Sequence, residues 1–284
     1  MVAGGCLDRR GGARHPLRPI HAAYNNIRTT ITMSERKSGF WSNVVVIVYA
    51  ALIAIGFRTF LFEPFNIPSG SMIPTLQVGD YLFVSKYAYG YSHFSLPFSP
   101  DLFSGRIFGS LPHRGDVVVF RLPTDTSTSY IKRVIGLPGD TVQMREGHLF
   151  INGTEVPRKE HGVYTIEGEG SSPVPEEDKL YVEDLPGKSG QSGVDHLILK
   201  RSDHEMLDNT PEFKVPAGHF FAMGDNRDNS QDSRVMSVVG FVPVENLIGR
   251  AEFIFFSVHA TAPWYQVWEW PLEIRWNRLF RSIH

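Results

Sequence analysis

A chain of 284 residues, 42% hydrophobic and 20% charged, has the composition of a globular protein with material for one large domain or two modest ones. Its formal net charge of −2 conceals an asymmetry: residues 1–39 carry seven Arg and Lys against Asp8 and Glu35, a net of +5, so the rest sums to −7. A basic head on an acidic body argues against nucleic acid as the main partner, and the apolar content argues against disorder of the whole.

Residues 1–32 are rich in Gly and Arg and show no periodicity, so they are expected to be disordered. Met33, followed by Ser34-Glu35-Arg36-Lys37, is an alternative start, which would make 1–32 an upstream extension. From Phe40 through Phe57 the chain carries no charge. Eighteen residues of helix span about 27 Å, enough for the hydrocarbon core of a bilayer, and Trp41 suits the interface. The small residues of Ala50–Ala54 lie inside this run, while Arg58, Phe60, Leu61 and Phe62 after it make a poor cleavage site. The expectation is an uncleaved transmembrane anchor over 40–58. The basic segment 1–39 then stays cytoplasmic, and the remainder lies on the periplasmic or extracytoplasmic side of the inner (plasma) membrane. The single cysteine, Cys6, falls in the head, so the body has no thiol for disulfides, nucleophilic catalysis or metal binding.

Beyond Glu63 short apolar runs alternate with Gly, Pro and Asp. Strands are predicted at Tyr81–Ser85, Asp116–Arg121, Tyr130–Ile135, Thr141–Arg145, His148–Ile151, Phe220–Met223 and Ala251–Val258. Asn152-Gly153 predicts a two-residue hairpin into Thr154–Val156, which also explains the glycosylation-like Asn152-Gly153-Thr154. The expected fold is mainly β, a coiled antiparallel sheet. The main β-domain would comprise 59–140 and 216–284, with a β-rich subdomain inserted over 141–215. Residues 157–215 are polar and acidic, with Gly/Ser/Pro-rich patches, and read as inserted subdomain or long surface excursion. The C-terminal Trp264, Tyr265, Trp268, Trp270 and Trp276, mixed with Arg275, Arg278 and Arg281, suit a membrane interface or a cap on the sheet equally well.

Three blocks carry candidate chemistry. Ile67-Pro68-Ser69-Gly70-Ser71-Met72-Ile73-Pro74-Thr75-Leu76 brackets a stiff turn between prolines, though such a turn alone is usually only loop. In Tyr130–Asp140, Lys132 and Arg133 stand side by side on an apolar strand, so alternation points them to opposite faces. An ordinary exposed lysine is the common outcome there. Met223–Arg234 is an Asx-rich polar turn, by default a solvated loop.

Taken together and in order, these blocks resemble those of bacterial type I signal peptidase, also called leader peptidase. The resemblance covers roughly 40–257: the anchor, Pro68–Leu76, Gly115–Phe120, Lys132–Asp140 and Gly224–Arg234. It is weakest over 157–215, and Val235–Val239 stands where a short aromatic link was expected. The resemblance implies that Ser71 is the nucleophile and Lys132 its general base. It further implies that Ser69 Oγ and the Ser71 N–H form the oxyanion hole, that Ser230 orients the Lys132 amine, and that Asp232 and Arg234 pair to shape the site. Phe65, Ile67, Met72, Leu76, Tyr130 and Ile131 are carried over as the lining for a signal peptide ending in Ala-x-Ala. The implied partners are exported preproteins, membrane lipids and the secretion translocon, with no metal and no cofactor.

The chemistry is self-consistent. A free lysine titrates near 10.4 and is protonated at neutral pH, but burial favours the neutral amine, and a shift of about 3 units amounts to roughly 4 kcal/mol. Among the 11 histidines none has zinc-type pairing, and no Gly-x-Ser-x-Gly elbow, P-loop or dinucleotide fingerprint occurs. Ser34-x-x-Lys37 matches a β-lactamase spacing but lies in the basic head without partner motifs. A self-cleaving Ser–Lys repressor protease, a processing peptidase dedicated to one pilus or conjugation substrate, and a silent membrane-tethered β-domain stay as alternatives. The anchor weighs against the first, the full set of blocks against the second, and the presence of both Ser71 and Lys132 against the third.

Overall fold

The computed structural model describes residues 39–96, 99–166, 176–187, 193–259 and 273–283. The expected disorder of residues 1–32, and Trp264, Tyr265, Trp268 and Trp270, lie outside them. The first element is helix α1 (Phe40–Phe60), two residues longer than the expected anchor. Its Val46, Ile47 and Ile53 are exposed, so the apolar surface runs around the helix with no polar face. By length and composition it could cross a membrane. At its C-terminus, where cations are favoured, Arg58 pairs with Glu63 at 2.8 Å.

Fourteen strands follow among the described residues: β1 (Phe62–Asn66), β2 (Asp80–Ser85), β3 (Val117–Leu122), β4 (Asp125–Gly136), β5 (Thr141–Arg145), β6 (His148–Ile151), β7 (Thr154–Glu155), β8 (Arg158–Ile166), β9 (Glu176–Leu185), β10 (Val194–Lys200), β11 (Phe213–Lys214), β12 (His219–Met223), β13 (Val242–Pro243) and β14 (Leu247–Ser257). They form a seven-stranded sheet, β1-β2-β14-β3-β4-β12-β13, a four-stranded sheet, β11-β5-β6-β7, and a three-stranded sheet, β10-β9-β8. The protein is mainly β, and every ladder among the described residues is antiparallel.

Each predicted strand forms, with ends shifted by a few residues as local propensity leads one to expect. The Asn152-Gly153 turn has φ of 53° and 76°, the double left-handed geometry that a two-residue hairpin needs. Polar residues 157–215 hold β8, β9 and β10 rather than a long loop. Their sequences interleave charged and apolar residues, so backbone pairing, not a run of hydrophobics, organises them. On β9 the buried Tyr181, Glu183 and Leu185 share one face, with exposed Asp184 on the other.

Two cores position the site. Ile67, Met72 and Leu76 pack with Leu82, Val84, Val117, Val119, Ile248 and Ile254, clamping the Pro68–Leu76 turn against the large sheet. On the far end of that sheet Ile135, Phe221 and Met223 pack with Val142, Met144, Leu149 and Leu185, which joins the smaller sheets to β4 and β12. The C-terminal segment 273–283 caps the sheet. Ser282 bridges Phe253, Ile274 bridges Val258, and buried Arg278 donates to Asp80 Oδ1 at 3.0 Å. Arg275 donates to Gln77 Oε1 at 2.5 Å, so two of the three C-terminal arginines are held by the sheet.

Candidate active site

Ser71 lies in a 3₁₀ turn, Gly70–Met72, directly after β1. The apolar Met72 is driven into the core, which leaves Ser71 at 8% exposure on the floor of a cleft. Lys132 reaches the same point from β4. Its Nζ lies 2.5 Å from Ser71 Oγ, in hydrogen-bond contact. Ser69 Oγ sits 3.4 Å from Ser71 Oγ. The Ser71 N–H belongs to the opening of a helical turn, where N–H groups have no acceptor within the turn. The turn is thereby suited to receive negative charge.

Lys132 is 4% exposed, and among the described residues no carboxylate comes within ion-pair distance of its amine. Burial pushes its pKa down to about 8, helped by Arg234 and opposed by Asp232 and Asp225 from a distance. Nζ stands 5.4 Å from the centre of the Tyr130 ring. A buried amine with a lowered pKa, touching a serine hydroxyl, can accept that hydroxyl's proton.

The third block closes the site from behind. Arg234 forks onto Asp232, Nε to Oδ1 at 2.9 Å and an Nη to Oδ2 at 2.8 Å, and the Gly224 N–H donates to Asp232 Oδ2 at 3.0 Å. Burial alone would raise the Asp232 carboxyl, but Arg234 outweighs it and holds the group below its ordinary value. Gly224 has no room for a side chain: a Cβ there would lie 2.3 Å from Ser230 Oγ and 2.5 Å from Ser71 O. The structure brings Ser230 close to the Ser71 backbone across Gly224 without bonding Ser71 or Lys132. No partner among the described residues meets its buried Oγ in full hydrogen-bond geometry, while its hydroxyl adds to the groups that hold the Asp232 carboxyl down. After Arg234, Val235–Val239 forms tight turns, with Val238 and Val239 N–H groups both donating to Val235 O at 3.0 Å.

Of the six residues carried over by the resemblance, Phe65, Ile67, Tyr130 and Ile131 line the cleft, a cavity of about 500 Å³. Met72 and Leu76 do not. Both are fully buried in the core under the turn, because the sheet covers the apolar side of the Ser71 turn. Other lining residues escaped the sequence reading, among them Val119, Thr128, Asn229 and Gln231.

So did the partner of Arg133. On the opposite face of β4, Arg133 forks onto Asp225 at 2.8 and 2.7 Å and donates to Gly115 O at 2.7 Å, while Thr75 Oγ1 donates to Asp225 at 2.6 Å. Asp225 would rise through burial, but Arg133 holds it down. The next residue, Asn226, donates its N–H to Ser71 O at 3.1 Å. The sequence signal was present in the alternation of Lys132 and Arg133 and in Gly224-Asp225-Asn226, but nothing local pairs the two segments. Among the described residues no group of His, Cys, Asp and Glu is arranged to hold a metal ion.

Comparison with known proteins places this geometry in context. Residues 40–256 match the family model for signal peptidase, peptidase S26. The chain is 40% identical over 267 residues to signal peptidase I of Rickettsia akari, covering 89% of this chain and 95% of that one. It is 41% identical over 258 residues to signal peptidase I of Rickettsia conorii, covering 86% of this chain and 92% of that one. A crystal structure of a signal peptidase I from Enterococcus faecalis V583 is 26% identical, with a TM-score of 0.27, and covers 50% of this chain and 97% of that chain.

Proposed function

The chain belongs to the signal peptidase family, peptidase S26, and from that membership we propose that it removes signal peptides from exported preproteins with a Ser71–Lys132 dyad. The observation that carries the mechanism is the 2.5 Å contact between Ser71 Oγ and a buried lysine amine. Neutral Lys132 takes the Ser71 proton as Oγ attacks the scissile carbonyl. The oxyanion is stabilised by the Ser71 N–H and Ser69 Oγ. Lys132 then protonates the leaving amine, and an acyl-enzyme forms on Ser71. A water gives its proton to Lys132 and attacks the ester, and Lys132 returns that proton to Ser71 Oγ as the signal peptide is released. Activity rises as the pH passes about 8, where Lys132 loses its proton.

The signal peptide of the preprotein ends in Ala-x-Ala. Phe65, Ile67, Tyr130 and Ile131 offer shallow apolar walls that receive methyl groups, with discrimination of about 1–3 kcal/mol per methylene. Met72 and Leu76 support these walls from the core. Helix α1 anchors the enzyme as a single span, with the basic head cytoplasmic and the catalytic body on the outer face. Its end at Phe60 lies close in sequence to Ser71, so cleavage takes place near the bilayer, where lipids and the secretion translocon present the preprotein. In this reading a catalytic domain of 59–140 and 216–284 holds an inserted subdomain of 141–215.

The test compares wild type, Ser71→Ala and Lys132→Ala, purified in detergent, on a preprotein with an Ala-x-Ala site. Each variant is expected to lose on the order of 10⁴-fold or more in kcat/KM with its fold intact. Cleavage retained by either folded variant overturns the dyad.

A further inference from the structure

The inserted three-stranded sheet meets the catalytic block along an unusual seam. Leu199, near the end of β10, forms an isolated parallel bridge with Asn226: its N–H donates to Asp225 O at 2.9 Å, and its carbonyl accepts from the Arg227 N–H at 2.9 Å. Asn226 thus lies between β10 and the nucleophile turn, since it also bonds Ser71 O at 3.1 Å and, through Nδ2, Gly70 O at 3.3 Å.

Side chains lock this seam. Arg227 is fully buried and forks onto Glu183 of β9, one bond measuring 2.8 Å and the second made by its other Nη to Glu183 Oε2. His196 of β10 stands directly opposite Glu183. Its Nε2 is 3.5 Å from Glu183 Oε2 and 3.9 Å from Asp225 Oδ1. Burial, with Arg133 and Arg227 beside it, keeps this ring neutral. The Arg227 carbonyl in turn accepts from Arg234 at 2.6 Å, which connects the seam to the Asp232–Arg234 fork. Three buried arginines, 133, 227 and 234, therefore stand against three buried carboxylates, Asp225, Glu183 and Asp232, and two of those carboxylates come from the catalytic block itself. Glu183 is the one supplied by the inserted sheet.

We propose that Glu183 is a positioning residue: by gripping Arg227 it docks the inserted sheet onto Asp225–Arg227 and so fixes the Ser71 turn against Lys132. This rests on the dyad reading. The sheet's contribution is to register, because Glu183 lies behind the block and does not line the cleft. Loss of the grip lets the Ser71 carbonyl drift with Asn226, and misplacement of a reacting group by about 1 Å costs on the order of 100-fold in rate.

The experiment measures kcat and KM of full-length Glu183→Gln in detergent, beside Ser71→Ala and beside Lys159→Gln, an exposed change on β8 that touches none of this seam. Gln keeps the volume and one acceptor but removes the charge. Glu183→Gln, shown to be folded by its melting temperature, is expected to lose about 10- to 100-fold in kcat with KM held within about twofold, while Lys159→Gln matches wild type. Wild-type kcat in folded Glu183→Gln, or a raised KM with kcat kept, overturns the proposal. If Glu183→Gln does not fold, Arg227→Lys, which retains the charge but loses the fork, carries the same two outcomes. Failure of both to fold makes the pair a folding element and also overturns it. Cleavage by Ser71→Ala would instead sink the dyad reading, so the two failures are distinguishable.

Discussion

Lys132 and Arg133 follow one another along β4, both buried, and the fold treats their charges in opposite ways. Arg133 meets a carboxylate fork, a backbone carbonyl and a threonine hydroxyl, so its charge is compensated on every donor edge. Lys132 meets a serine, an aromatic ring and apolar walls, and its pKa falls to about 8. The difference teaches that burial by itself says nothing about a charge's role. A buried cation with its fork filled is scaffold, whereas one left without a counter-ion has its pKa lowered towards the range a base needs.

This contrast can be broken most forcefully from the scaffold side. Arg133→Met should destabilise the protein by about 3–5 kcal/mol, because it leaves Asp225 buried and unpaired. Denaturant or thermal unfolding of the two proteins side by side checks this, and an unchanged midpoint would mean that the fork is not what holds the block.

Lys132→Met should move stability the other way. The folded pKa of about 8 lies below the ordinary 10.5, so between those values the unfolded chain binds the proton that the folded one has lost. Folded-state stability is therefore lowest below pH 8 and rises as the pH climbs towards 10.5. The shift corresponds to about 3 kcal/mol, so the methionine variant should gain up to that amount at pH 7 and lose the advantage near pH 10.5. Unfolding measured across pH 6–11 would show it, and a pH-independent difference would mean that Lys132 is not desolvated.

The smallest effect belongs to Ser230. Its hydroxyl is buried without a hydrogen bond, so Ser230→Ala should cost essentially no stability. If it turns to orient the Lys132 amine during the reaction, kcat should fall by about 10-fold, in line with one lost hydrogen bond. Steady-state kinetics at saturating preprotein would decide this, with unchanged kcat removing Ser230 from the mechanism.

Much of the molecule was legible in the chain itself. The apolar run became α1, the Asn152-Gly153 turn became a hairpin, and strands such as β5 and β6 appeared at their predicted residues. Ser71 and Lys132 were nominated by blocks in order, and alternation already placed Lys132 and Arg133 on opposite faces. These features are local: periodicity, turn chemistry and adjacency along a strand act over a few residues. The cleft lining was only half legible, since nothing in Met72 or Leu76 distinguishes an apolar wall from the core beneath it. Strands β8 to β10 were hidden by their charges, for pairing rather than hydrophobicity makes them.

What only the tertiary structure decided is which face of β4 closes on which partner. Asp225 is 92 residues from Arg133, and Ser71 is 61 residues from Lys132. Chemistry at both faces depends on distances of a few ångströms between segments that share no local signal. The sequence by itself determined that a serine, a lysine and an arginine would be available. Packing of the Pro68–Leu76 turn and the Gly224–Arg234 block against β4 determined that one cation would be paired with an acid and the other would have its pKa lowered by the loss of water.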